Sequence, residues 1–315
     1  MMNKNIYFLG IGGIGMSALA RYFHKKGCAV AGYDKTPSPL TKKLEEEGIL
    51  IHYEDKPELI PNEVDLVILT PAIPSDSREL NYLKEKEVKI IKRAEVLGEI
   101  SRHCKSVAVA GSHGKTTGTS LISHILHHAQ KPMSAFIGGI AKNINSNVII
   151  GDENDEVVVM EADEFDRSFL RLKPDVAVIT SVAADHLDIY GTFEAVVEAF
   201  GQFAALIKKG GDLVIKQGVD IPLPEDIDIW RYSYDDVASD FYATNIVLQQ
   251  GGYYRFDIVT PFGILKNLTL GIPGWVNVEN CVAAVAASLC AARKRGEEVD
   301  KDKLRRALAE FSGVK

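Results

Sequence analysis

Gly111-Ser112-His113-Gly114-Lys115-Thr116-Thr117 stands between a β-prone run at 107–110 and a helical pattern. In that order, backbone amides at a helix N-terminus cradle phosphates. Lys115 is then placed to neutralise β- and γ-phosphates, and the Thr116 hydroxyl to face a magnesium ion. The loop is a variant, because strict GxxxxGK[ST] asks for glycine at position 109, where this chain has Val109. Glu161-Ala162-Asp163-Glu164 follows the apolar run 156–160. Carboxylates at the C-terminal ends of neighbouring parallel strands face a bound nucleotide, so Glu161 is the candidate magnesium ligand. Asp163 and Glu164 rank below it, since the acidic run also suits the cap of a following helix. His186, in Asp185-His186-Leu187-Asp188, comes after the run 176–180 and offers a second, less usual ligand for an ion that prefers oxygen. Asn277 and Asn280, three positions apart after Gly274, share one helical face. They can present amide donors and acceptors to a purine edge, or serve as a cap and a core-side amide.

A second glycine-rich turn lies near the start of the chain. Gly10, Gly12 and Gly15, with Gly13 and Ile14 between them, satisfy GxGxxG between the run 6–9 and a helix expected at 14–26. Asp34 lies 19 residues beyond Gly15, where a dinucleotide fold puts an acid on ribose hydroxyls. The literal reading is NAD; a UDP-sugar diphosphate fits the same geometry.

The elements that position these residues follow from pattern. Over the first hundred residues, short β-rich runs (6–9, 29–33, 64–69) alternate with helical periods (14–26, 39–47), which indicates βαβ units on a parallel sheet. The polar stretch 101–105 interrupts this, and a second alternating series opens at 107. Two domains are expected, 1–105 and 106–315. In the second, Leu121, Ile122, Ile125, Leu126 and Ala129 line one helical face, and 156–160 and 175–180 read as buried parallel strands. Runs at 241–248 and 253–259 around Gly251-Gly252 indicate an antiparallel hairpin, and helical periods follow at 277–294 and 301–311. The expected fold class is α/β: an N-terminal Rossmann-like parallel-sheet domain, then a P-loop-type central α/β domain with an added antiparallel hairpin.

Composition narrows the function. The 315 residues are 46% hydrophobic and 25% charged, the balance of a soluble globular chain. The net charge of -7 gives no electrostatic reason to expect nucleic acid or anionic lipid as a partner. Cys28, Cys104, Cys281 and Cys290 form no CxxC pair, which fits a reducing cytoplasm. Lys4 and the apolar stretch 6–20, ending Ala18-Leu19-Ala20, imitate a secretion signal, but its glycines carry the phosphate-binding spacing described above. A cytoplasmic protein without membrane insertion is expected; oligomeric state is left open.

Together these motifs resemble the Mur ligase family, ATP-dependent enzymes that build the peptide of peptidoglycan precursors. The resemblance rests on GSHGKTT at 111–117, EADEFDRSF at 161–169, ADHLDIYG at 184–191 and GxxNxxN at 274–280, in the family's order, and covers nearly the whole chain. It implies that the first turn binds a UDP-sugar, with Gly12, Gly13, Ile14, Gly15, Asp34, Thr70, Ala72 and Arg93 along the uridine diphosphate path. The segments 10–16, 32–34, 70–73 and 92–95 are similar to the branch that joins L-alanine to UDP-N-acetylmuramate; a tripeptide-recycling branch is the second choice. The implied route is attack of the lactyl carboxylate on the ATP γ-phosphate, then displacement of phosphate from the acyl phosphate by the alanine amine. Lys115, Glu161 and His186 would be catalytic, Thr116, Glu161 and His186 would hold Mg2+, and 111–117 with Asn277 and Asn280 would bind ATP. His113, within the loop, is placed to touch phosphate or substrate.

Three departures from the family pattern stand out. Val276 replaces a frequent histidine, and Gly201 stands where several relatives carry a modified lysine, the next lysine being Lys208. The family's third, amino-acid-binding domain is not in this sequence, so little ligase turnover is expected from the chain alone. Two readings compete with the ligase. A NAD-dependent dehydrogenase leaves 111–117 without a purpose, and a non-catalytic nucleotide or UDP-sugar sensor would keep both phosphate sites.

Overall fold

The computed structural model describes residues 4–151 and 156–315, and the chain divides into two compact units, 1–99 and 100–315. In the first, β1 (Asn5–Leu9), α1 (Ile14–Lys25), β2 (Ala29–Tyr33), α2 (Pro39–Glu46) and β3 (Leu50–His52) form one half. β4 (Leu66–Leu69), α3 (Arg78–Glu85) and β5 (Ile90–Lys92) form the other, and α4 (Arg93–His103) leads out of the unit. All five strands are parallel in the order β3-β2-β1-β4-β5. The chain winds outward from β1 and then returns to β4 on its other side. The crevice between the C-terminal ends of β1 and β4 is therefore the topological switch point, where such sheets bind ligands.

Local sequence explains the helix starts. Ser38 and Thr41 form a reciprocal capping box with Pro39 in the first turn of α2. Ser77 caps α3, while the Asp55 carboxylate takes the Arg78 and Glu79 amides at 3.0 and 2.8 Å. Tyr7, Leu9, Tyr33, Ile60, Val67, Leu80 and Leu83 make a core for this unit.

The second unit continues with β6 (Lys105–Ala110), α5 (Lys115–His128), β7 (Met133–Ala141), β8 (Ser146–Ile149), β9 (Val157–Glu161) and β10 (Val176–Ile179). Next come α6 (Leu187–Tyr190), α7 (Phe193–Ala205), β11 (Asp212–Lys216), β12 (Asp228–Ser233), β13 (Phe241–Leu248), β14 (Tyr254–Thr260) and β15 (Gly263–Thr269). α8 (Trp275–Lys294) and α9 (Lys301–Glu310) close the unit. Ten strands form one sheet in the order β15-β14-β13-β12-β11-β10-β6-β9-β7-β8. β6 pairs in parallel with β10 on one side and β9 on the other. Its apolar residues, Val107 to Ala110, are fully buried, so Val109 is core rather than loop and the phosphate loop begins only at Gly111.

The expected hairpin is present as β13 and β14, but β15 extends it to three antiparallel strands, and an antiparallel β7–β8 pair lies at the other edge. α8 is the one described helix long and apolar enough to cross a membrane, and 67% of that window is buried in the fold. Val278, Cys281, Val282, Val285 and Cys290 place it in the core with α5 and the sheet.

Candidate functional site

The phosphate loop is held open by a few side chains. Gly111 has φ +134°, and a Cβ there would lie 2.1 Å from Thr180 Oγ1, so only glycine fits. The Thr180 hydroxyl, one residue past β10, lies against the carbonyl oxygens of Ala110 (3.2 Å) and His113. Ser181 adds a second tie: its Oγ accepts the His113 amide at 3.0 Å and its carbonyl the Ser112 amide at 3.1 Å. The Ser112 hydroxyl returns a bond, accepting the Ala183 amide at 2.9 Å. Gly114, at φ +86°, is the N-cap of α5, with Lys115, Thr116 and Thr117 in the first turn. Free amides at that turn make it an anion site.

Lys115 Nζ donates to Gly111 O and to Glu164 Oε1, both at 2.8 Å. Glu161, the last residue of β9, accepts the Gly138 amide at 2.9 Å and the Thr116 hydroxyl. Burial pushes its carboxyl up from the ordinary carboxylate value; the Thr116 and Gly138 bonds and the nearby Lys115 charge oppose that rise. The threonine hydroxyl and the carboxylate are hard oxygen donors side by side in a place where positive charge relieves a buried acid, so these two residues fit a magnesium ion.

His186 is arranged differently. It is the left-handed N-cap of α6 (φ 57°), and its ring packs edge-on against Phe165 at 5.2 Å. No bond joins it to Glu161 or Thr116, and among the described residues no group of three or more His, Cys, Asp or Glu could hold a metal ion. Asn280 Oδ1 lies 2.9 Å from where a Gly114 Cβ would be, which puts it on the loop. Asn277 donates to Pro273 O at 2.6 Å and so braces the start of α8. Lys208, the first lysine after the Gly201 position, is engaged elsewhere, donating to Cys104 O and Asp175 Oδ2 at 2.9 Å each.

In the first unit the glycine turn is equally tight. Gly10 (φ +85°) would place a Cβ 2.3 Å from Thr70 Cγ2, and Gly15 one 2.0 Å from an Arg93 guanidinium nitrogen. Asp34 Oδ2 accepts the Gly12 amide at 2.7 Å and Oδ1 the Thr36 amide at 3.2 Å. Gly13 caps α1 without a side chain, and Ile14 begins it. Thr70, Asp34 and Arg93 thus converge on the turn at the switch point; Ala72 is an exposed residue just beyond Thr70.

Sequence reasoning missed Thr180, Ser181 and Gly138 and ranked Glu164 low. The Gly138-Gly139 pair inside a β-prone run was the available sign for one of them, because glycine in a strand marks close approach by another group.

The same two units are found in proteins of known family. Residues 5–105 match the model described as Mur ligase family, catalytic domain, and residues 109–288 the Mur ligase middle domain. The UDP-N-acetylmuramate–L-alanine ligase of Porphyromonas gingivalis is 45% identical over 317 residues, covering 98% of this chain and 68% of that protein. That of Flavobacterium psychrophilum is 48% identical over 315 residues, covering 99% and 67%. The chain thus spans about two thirds of the length of these relatives. Among solved structures, the UDP-N-acetylmuramate-alanine ligase of Thermotoga maritima superposes with a TM-score of 0.82 at 27% identity, over 99% of this chain and 69% of that one. With a glycine-rich turn at the switch point of one unit, a lysine-bearing phosphate loop in the other and these matches over both, the chain belongs to the Mur ligase family.

Proposed function

We propose that this chain serves the ATP-dependent formation of an amide between the lactyl carboxylate of UDP-N-acetylmuramate and the amine of L-alanine, a step in peptidoglycan precursor synthesis. The observation that carries the reading is the convergence of Lys115, Thr116, Glu161 and Thr180 at the C-terminal ends of three adjacent parallel strands. The carboxylate attacks the γ-phosphate of ATP, ADP leaves, and the amine then displaces phosphate from the acyl phosphate. The protein does little covalent chemistry in such a transfer; it positions the phosphates and offsets their charge. The amides at the start of α5, from Gly114 to Thr117, hold the phosphate chain, Lys115 faces the β- and γ-phosphates, and Asn280 lies beside the loop for the rest of the nucleotide. Thr116 and Glu161 are the residues that would hold Mg2+, which when bound withdraws charge from the phosphoryl oxygens. His186 supports the Phe165 segment, and a place for it on a second ion rests on the family resemblance alone. In the first unit the turn at 10–15 takes the diphosphate of the UDP-sugar, with Arg93 supplying positive charge and Thr70 a hydroxyl. The buried thiols of Cys28, Cys281 and Cys290 fit a cytoplasmic setting.

The test is a thermal-shift titration with UDP-N-acetylmuramate, Mg-ATP and NAD separately, since a ligand of the native state stabilises it by mass action. Shifts with the first two and none with NAD are expected. A shift with NAD alone would overturn the reading of the first unit.

A further inference from the structure

The segment after β9 holds an acid that the proposed reaction does not use. Glu164 is buried, its side chain 3% exposed, with Oε1 2.8 Å from Lys115 Nζ and Oε2 without a hydrogen-bond partner. It is held there from several sides. The Tyr190 hydroxyl donates to the Glu164 carbonyl at 2.6 Å, and the Arg167 guanidinium lies over the Tyr190 ring at 5.1 Å. The next residues but one, Asp166 and Arg167, both adopt left-handed backbone (φ 54° and 53°), a conformation non-glycine residues keep only when their surroundings impose it.

Lys115 therefore already has two oxygen partners, Gly111 O and a buried carboxylate. We propose that Glu164 is a positioning residue that competes with phosphate for the Lys115 ammonium and so sets nucleotide affinity. The proposal rests on the reading of 111–117 as an ATP loop. As the ammonium turns to the β- and γ-phosphates it weakens its bond to Glu164, leaving a buried carboxylate with less compensation. That loss is subtracted from the gain of binding phosphate. A charge at Glu164 would also repel the incoming phosphates, in the same direction.

Glu164→Gln keeps the shape and removes the charge. The expected result is tighter Mg-ATP binding, by about tenfold in titration calorimetry, and a similar gain for tripolyphosphate, which carries no base. Glu164→Asp withdraws the carboxylate by one methylene and should give a smaller gain; it carries the test should the glutamine variant not fold. In a Lys115→Ala background the Glu164→Gln gain should shrink, because the competed-for group is gone and only the repulsion between carboxylate and phosphates is left to relieve. A purely structural role predicts the opposite sign, since loosening this segment would weaken binding. Unchanged or weaker Mg-ATP binding by the Glu164 variants, while the parent chain binds, would overturn the proposal and leave the ATP reading standing. No Mg-ATP binding by the parent chain would overturn both.

Discussion

Gly138 and Glu161 are fitted to each other across adjacent strands: the Gly138 amide donates to Glu161 Oε1 at 2.9 Å, and a Cβ on Gly138 would sit 2.3 Å from Oε2. The colliding atoms belong to a flexible side-chain end, so the carboxylate would swing away before the sheet gave way. Gly138→Ala is therefore expected to leave thermal stability nearly unchanged and to weaken Mg-dependent ATP binding roughly 10- to 100-fold, the usual cost of disturbing a metal ligand's support. Titration with ATP in the presence and absence of magnesium checks this. A large fall in melting temperature with normal Mg-ATP binding would contradict it.

The same logic applies in the first unit. A methyl on Gly15 meets the far end of Arg93 at 2.0 Å, and that side chain can move. Gly15→Ala should weaken UDP-N-acetylmuramate binding roughly tenfold through the loss of a charge-assisted contact, with Mg-ATP binding unaffected. Equal losses for both ligands would mean that the substitution disturbs folding rather than one site.

Asn277 and Asn280 should separate by phenotype. Asn277 bonds to Pro273 O, so Asn277→Ala is expected to lower stability by about 1 kcal/mol, measured by denaturant titration. Asn280 faces the loop, so Asn280→Ala should reduce ATP affinity roughly three- to tenfold. The reverse assignment of effects would return Asn277 to the nucleotide.

Two buried groups give opposite pH dependences. Burial pushes the His124 imidazole from 6.5 down to about 4; its ring packs 5.6 Å from Phe311, and His128 and His127 add repulsion. The unfolded chain therefore binds the proton more readily, and this residue's contribution to stability is full above pH 6.5 and lost as pH falls towards 4. Burial raises Glu79 from 4.5 to about 7, with Tyr7 donating to it at 2.6 Å. Its contribution is full below pH 4.5 and lost as pH rises through 7. Unfolding measured from pH 4 to 8 should lose its acid-side slope in His124→Gln and its neutral-side slope in Glu79→Gln.

Much of this was legible from local pattern. β1, α1, β6 and α5 could be read because each carries its own periodicity, and the glycines at 10–15 and 111–114 announce their turns. Glu161 was legible because it ends an apolar run. β15 and the β7–β8 pair were not: Gly263–Thr269 is mostly exposed, and its pairing is decided by β14 rather than by its own sequence. Thr180 and Ser181 escaped because a hydroxyl after a strand has no distinguishing spacing; only the pairing of β10 with β6 brings them to the loop. Glu164 was ranked as a cap since a helix was expected after it, whereas the chain there takes left-handed turns and a 3-10 segment.

The pairing of β6 with both β9 and β10 also bears on how the protein acquires its activity. The loop 111–117, the acids at 161–164 and the hydroxyls at 180–181 are far apart in sequence and meet only when these three parallel strands have docked, a non-local event that is slow because loops must close before contacts reward them. A half-folded chain would have the loop's residues but no pocket. Nucleotide capture during refolding would thus time the completion of the central sheet, lagging behind the appearance of helical structure.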